Sequence, residues 1–444
     1  MSAVASWVAD FEARAPALPG ASLPWLAGLR RRAIERFAAA GWPTRRMENW
    51  HHTSLAFLEE HVFSAAGTHA DPAALVARLR AGETAPGHWL VFVAGRHAPA
   101  LSAIGALPGG VTLIGLAAAL ARPDDATASA IEHAFGGSGD SPAALNAAFA
   151  ADGAFVKIGR GVAVEETIHL VFIAGADETH RHLRNLVVAE AGSRATIVEH
   201  YPDSGDAATL TNVVTRIEAG ADAQVSHLKL QQEGEQTIHI ARLDARQARG
   251  AVLASHSLSF GARLARHDIG TRFDGDGGEV LLNGLYHVDG RRHVDHQTCI
   301  EHAQPRCSSR EFYRGLVDGS ARGVFAGRII VAPDAQRSDA MQRCDNLLLS
   351  RQAEADARPE LEIYADDVKC AHGATVGQID DDSLFYLRSR GLDALHARHL
   401  LTYAFAAEAL ARIELPTLRQ RARAALLARL PGADAMGELL EELA

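Results

Sequence analysis

Long apolar runs are missing from this chain: no stretch of 18 consecutive apolar residues occurs, so no segment reads as a membrane-spanning helix. Cysteine is scarce. The four thiols, Cys299, Cys307, Cys344 and Cys370, all lie between residues 299 and 370, and no two stand in Cys-x-x-Cys spacing. That excludes a disulfide framework, a zinc knuckle and a thioredoxin-type motif. Basic runs with interleaved aromatics are absent too. Lys+Arg total 44 against Asp+Glu 54, a formal net charge of -10, so nucleic acid is not an expected partner. The chain has no Gly-x-x-x-x-Gly-Lys-Ser/Thr, no Gly-x-Gly-x-x-Gly after a strand, no His-Glu-x-x-His and no Gly-x-Ser-x-Gly. The usual signatures of nucleotide, dinucleotide, zinc-protease and hydrolase chemistry are therefore missing. The opening residues carry no basic n-region and meet acids early, which with the sparse thiols makes the cytoplasm the expected compartment.

What is present is ordinary for a globular protein: 48% hydrophobic, 22% charged, and at 444 residues long enough for two or three domains. The spacing predicts a first helix capped by Ser22, with Pro24 in its first turn and Leu26, Leu29, Ala33 and Phe37 on one face, stopped at Gly41-Trp42-Pro43. Arg30-Arg-Arg32 reads as its solvated side. Pro43–Thr53 is polar and aromatic with no period, and to residue 150 helical Ala/Leu segments mix with short apolar runs such as Trp89–Val93 and Val111–Ile114. Gly136-Gly-Ser-Gly139 reads as a flexible joint.

After residue 150 short strand-like runs follow one another with little helix between them. Asn185–His200 is echoed by Asn212–His227; their Glu-Ala-Gly turns begin at 190 and 218, a spacing of 28, and Asp244-Ala-Arg246 is a degenerate third copy. Short strands at such a period favour a solenoid of stacked β-coils over an antiparallel sandwich. From residue 383 the texture is helical. Ser383–Arg390 closes at Gly391. Asp393 caps a longer helix in which Leu400, Leu401, Ala404, Phe405 and Glu408 share a face, and Pro416 opens another, ended by Pro431-Gly432. Asp380-Asp-Asp382 reads as the acidic first turn of a helix, not a metal site. The expected domains are 1–150 (helical and mixed), 151–382 (β-coils) and 383–444 (helical), the last too small for a core of its own and expected to pack on the coils or on a partner.

Two groups of residues carry candidate chemistry. In Leu361–Gly377, read as one strand, Tyr364, Asp366, Val368, Cys370 and His372 share a face, which sets a thiol beside an imidazole, two soft ligand types. Cys-x-His is half a metal site; buried packing is the plainer reading of the cysteine. The second group is His287, His293, His296 and His302 beside Asp295, Cys299 and Cys307. It reads first as histidines scattered over strands and surface, and otherwise as a metal centre or proton relay of a self-sufficient metalloenzyme.

Several segments together resemble the SufB/SufD family of iron–sulfur cluster assembly proteins: Pro43-Thr-Arg-Arg-Met-Glu-Asn-Trp50, Gly323-Val-Phe-Ala-Gly-Arg-Ile329, Asp334-Ala-Gln336, Asn346-Leu-Leu-Leu-Ser350, Glu362–Gly377 and Leu384-Phe-Tyr-Leu-Arg-Ser-Arg-Gly391. The entry motif and the lack of a cysteine-rich N-terminal segment place the resemblance with the SufD branch. The resemblance implies a mainly β fold, a right-handed parallel β-helix core flanked by α-helical N- and C-terminal domains. It implies a non-catalytic scaffold subunit that pairs through its β-helix edge with SufB. The C-terminal helices would hold the ATPase SufC, with Leu400, Tyr403 and Phe405 as contacts. No tightly bound cofactor is implied, only a transient iron–sulfur cluster at the SufB interface, where His372 and Cys370 match the family's Cys-x-His residues. A SufB-like cluster-carrying subunit and a purely structural SufB partner are the alternatives, and a homodimer is possible in isolation. Cys-Ala-His stands here where Cys-Ser-His is common, and Trp50-His-His-Thr53 where Trp-Lys-Tyr-Thr is usual.

Overall fold

A computed structural model describes residues 3–429 apart from 62, 64–68, 84, 122, 137–138 and 176–178. From Ala154 to Gln378 sixteen strands alternate between two sheets, eight in each, so the chain winds through about eight coils. Within each sheet every one of these strands pairs in parallel with the strand one coil away. Such a solenoid is dictated by the strand period. Alternate residues point into the lumen, and the register stacks like on like: Leu183 on Val213 on Ala241, Val187 on Ile217 on Ala245, all buried. Gly87–Val93 adds a parallel strand and Val111–Gly115 an antiparallel one at the N-terminal ends of the two sheets.

One corner of the coil is held by a column of left-handed residues: Gly161, Gly192, Asp222, Gly250, Gly277, Arg306 and Arg337, with φ between 58° and 69°. The amide of each donates to a carbonyl of the next coil's turn, as Gly192 N to Ala221 O at 2.8 Å and Asp222 N to Arg249 O at 2.8 Å. This column corrects the repeat read from sequence. Gly192 is the left-handed residue of its turn, but the matching residue one coil on is Asp222, 30 residues away, and Glu218-Ala219 still lie in the strand. Ala189 accordingly pairs with Ala219. A slip of two residues leaves every side chain on its own face, so the hydrophobic pattern alone does not detect it.

Helices cover the outer faces of both sheets. The N-terminal helices Ala3–Arg14, Pro24–Ala40 and Ser141–Phe149 lay Trp7, Phe37 and Leu145 on Leu210, Ile238 and Leu264 of the nine-stranded sheet. Helix Pro24–Ala40 begins after Leu23 without a side-chain cap, so Ser22 does not cap it; Gly41 ends it at φ 64°. Arg30 is not solvated either. Its guanidinium is buried and donates to the carbonyls of Pro19 at 2.8 Å and Ala150 at 2.9 Å, tying the helix to the segment that enters the solenoid. Residues 137–138 of the expected joint lie outside the described residues.

The C-terminal helices Ala394–Leu410 and Pro416–Leu427 cover the ten-stranded sheet, burying Ala406, Ala409, Leu418 and Leu426 against Leu228, Leu258, Leu285 and Phe312. Asp393 caps the first through the amides of Leu395 and His396, both at 2.9 Å. The preceding helix, Asp381–Ser389, is capped by Asp380 on the amide of Ser383 at 2.9 Å, which gives the acidic run its place. Helix Ala394–Leu410 buries the stripe Ala397, His399, Thr402, Ala406 and Ala409, not the face predicted from Leu400, Leu401, Ala404, Phe405 and Glu408. Alanines and a histidine face the sheet because the sheet's own Leu and Phe side chains fill the space between. The expected stop at Pro431-Gly432 lies outside the described residues.

Candidate functional site

The last coil leaves both sheets open. Strand Lys369–Gln378 pairs only with Asp339–Leu348, and Glu354–Ile363 only with Arg322–Val331, so among the described residues each has one free edge. The two edges differ. Glu354–Ile363 carries Pro359, which has no N–H to give, and five charged residues, Glu354, Asp356, Arg358, Glu360 and Glu362. Lys369–Gln378 has one charge, at Lys369, and otherwise small or neutral side chains.

Residues 364–368 are a corner and not strand, so Tyr364, Asp366 and Val368 do not share a strand face with Cys370 and His372. A solenoid must turn between its sheets, and Asp366-Asp367 lies where the preceding coils place their left-handed turns; Asp367 O accepts from Arg337 N at 2.5 Å. Cys370 and His372 themselves do share a face, the lumen side, in register with Ala340 and Gln342 of the coil before. Cys370 is half-buried against the core, and burial pushes its thiol up, so the free chain presents a thiol and not a thiolate. His372 is exposed at the open mouth of the lumen. Around the mouth stand exposed Ile363, Tyr364 and Val376. The geometry is that of an imidazole and a thiol on one face of a free strand edge.

The histidines near residue 300 are not brought together. His293 bonds Thr53 Oγ1 at 2.7 Å on the outer face, His296 lies in the lumen against Tyr286 with Ser257 at 3.2 Å, and His302 bonds Ser309 at 2.9 Å beside Phe273. His287 is buried on the opposite sheet. Among the described residues no three His, Cys, Asp or Glu side chains converge as a metal-binding group.

The aperiodic segment after Pro43 proves to be a clamp, which its lack of period concealed. Trp50 lies over the Arg266 guanidinium, 3.6 Å from Cζ to the ring centre, and its Nε1 donates to Asp140 at 3.1 Å. Arg266, only 1% exposed, bridges Asp268 and Asp295 at 2.7 Å each and donates to Asn49 O at 2.8 Å; Thr53 donates to Asp295 as well. Beside the clamp is a cavity of about 290 Å³ lined in part by Cys299, and its arginines Arg242, Arg266, Arg328 and Arg358 are already paired with carboxylates.

Of the C-terminal candidates, Leu400, Tyr403 and Phe405 are all half-buried. Tyr403 and Phe405 pack on the core and lie under Arg423 and Arg314, at 5.6 and 4.3 Å. The freely exposed apolar residues here are Phe385 (73%), Tyr386 (56%) and Leu395 (53%), which periodicity did not single out. Phe385 and Tyr386 do stand in the Leu384–Gly391 segment that carries the family resemblance, and that was the available signal.

The family described as "SUF system FeS cluster assembly, SufBD core domain" matches residues 172–405, and "SufBD protein N-terminal region" matches residues 1–170. The chain is 33% identical over 408 residues to the iron–sulfur cluster assembly protein SufD of Escherichia coli (strain K12), covering 90% of this chain and 92% of that protein. It is 32% identical to the iron–sulfur cluster assembly SufBD family protein slr0076 of Synechocystis, with 90% of each covered. To the chloroplastic protein ABCI7 of Arabidopsis thaliana it is 28% identical, covering 92% and 86%.

Proposed function

The chain belongs to the SufBD family of iron–sulfur cluster assembly proteins, most like SufD, and from that premise we propose that it is the non-catalytic scaffold subunit that completes a cluster-building interface with SufB. The observation that carries the reading is the terminal strand Lys369–Gln378: an unpaired, nearly uncharged edge that presents His372 and Cys370 at its lumen face. Strand addition satisfies the free N–H and C=O groups of such an edge and brings a partner's side chains into register beside its own. An imidazole and a thiol supply two ligands, and a partner strand supplies the remainder, for iron and sulfide that are cargo here. With SufB absent, the same edge favours self-pairing.

In this reading the ATPase SufC docks on the C-terminal helices. Phe385, Tyr386 and Leu395 are the apolar residues free to receive it, while Tyr403 and Phe405 pack on the core that joins these helices to the sheet. Helix Ala394–Leu410 packs directly on strands Glu279–Val288 and Ser308–Val317, so a displacement of the helix loads coils that lie two and three strands in from the open terminal strand.

The test is to purify the chain with SufB and SufC from the same genome, wild type and His372→Ala, and to assay anaerobic iron and sulfide. A complex that forms in both but loses iron several-fold in the variant supports the reading; equal iron in both rejects the ligand role of His372.

A further inference from the structure

We propose that Gln342 is a positioning residue for His372, fixing its imidazole in one tautomer so that the other ring nitrogen faces the open edge. The inference rests on the interface-ligand reading of His372 given above.

Gln342 and His372 are register partners on neighbouring parallel strands with side chains on the same face, and one coil further in the same column continues with Glu311. Strands in such a sheet lie about 4.8 Å apart, so the three side chains are stacked neighbours. Gln342 is buried, and its Nε2 donates to Glu311 Oε2 at 2.5 Å. That bond turns the NH₂ end of the amide inward, away from the mouth. The other end, Oε1, is buried without a hydrogen-bond partner among the described residues. An orphaned buried acceptor is costly, and the next polar group along the column is the His372 ring.

The lumen is built to admit this amide. A Cβ on Gly327, across the lumen, would stand 2.2 Å from Gln342 Nε2, 2.7 Å from Phe325 Cζ and 2.8 Å from Thr298 Oγ1. The missing side chain in Gly323-Val-Phe-Ala-Gly327 is therefore what lets Gln342 extend toward Glu311. A neutral imidazole has one N–H and one lone pair. With the N–H given to Gln342 Oε1, the lone pair is left for iron brought to the edge, the arrangement by which outer partners orient ligating histidines elsewhere.

The test reads the ring directly. The full chain is labelled with ¹⁵N-histidine, and His372 is assigned by the signal lost in His372→Ala. Long-range ¹H–¹⁵N correlations then report its tautomer at a pH where it is neutral. The wild type should show one tautomer. Gln342→Met keeps the length but removes the acceptor, and should populate both; Gln342→Glu keeps an acceptor oxygen and should retain one. In the complex with SufB and SufC, Gln342→Met should lose iron several-fold and Gln342→Glu should not. A mixture of tautomers in the wild type overturns the inference with no variant needed, as does a Gln342→Met chain whose His372 signals match the wild type. If the tautomer responds as expected but His372→Ala leaves iron content unchanged, the positioning stands and the interface-ligand reading is what fails.

Discussion

Replacing Arg266 with Met should destabilise the chain by about 3–5 kcal/mol, the range for breaking a buried ion pair by removing one partner. Arg266 is 1% exposed and Asp295 is fully buried, so the carboxylate left behind has no route to water. It keeps Gln297 Nε2 at 2.7 Å and the Thr53 hydroxyl, which satisfy lone pairs but not charge. Asp268, on the outer face, is less enclosed and can rehydrate. The variant also loses the stacking on Trp50, worth up to about 2 kcal/mol when desolvated. Urea unfolding at constant m gives the loss, which is a large share of the ~5–15 kcal/mol a domain holds. The double variant Arg266→Met/Asp295→Asn should return to within about 1–2 kcal/mol of wild type, because a neutral buried pair often equals the ionic one.

The pH dependence should weaken as well. In the wild type burial alone would push the Asp295 carboxyl up, but Arg266 and His293 outweigh it and hold it low. That stability is present above the unfolded carboxyl value of about 4 and is lost as pH falls through the lower folded value. Without Arg266 burial is opposed only by His293 and by the Thr53 and Gln297 hydrogen bonds, so the folded value should rise and the stability lost on acidification should shrink. A single variant within 1 kcal/mol of wild type, or a double variant no better than the single, would refute the clamp energetics.

Glu311 gives a second pH test. Burial pushes its carboxyl up to about 7 from 4.5, so its protonated form stabilises the fold below about pH 4.5 and that contribution is lost as pH rises toward 7. The shift corresponds to about 3 kcal/mol, which Glu311→Gln should abolish, leaving stability flatter between pH 5 and 8 in calorimetry. At the left-handed corner, Gly192→Ala should cost about 1–2 kcal/mol even though its Cβ would meet nothing closer than Gly161 Cα at 3.8 Å. Arg337→Gly at the same kind of position should be neutral or stabilising in the same urea assay, since its exposed pair with Asp367 is worth little.

What the sequence determined by itself is what depends on local pattern. Short strands recurring with little helix between 151 and 382 favoured stacked coils, and Asp393, Pro416 and Gly41 marked helix ends, because caps and turns act over three or four residues. The Cys370–His372 pair shared a face in either account, since it spans a single period of one strand. Only the tertiary structure decided the rest. The 30-residue register is set by turn amides bonding to the next coil, to which a face-preserving slip of two is invisible. The corner at 364–368 exists because the last coil must cross between sheets. Arg30 read as surface charge and Arg266 carried no signal in the sequence; carbonyls, carboxylates and Trp50 converge on them from segments up to 217 residues away. A buried charge is recognised by its partners, and partners that distant are brought together only by the fold.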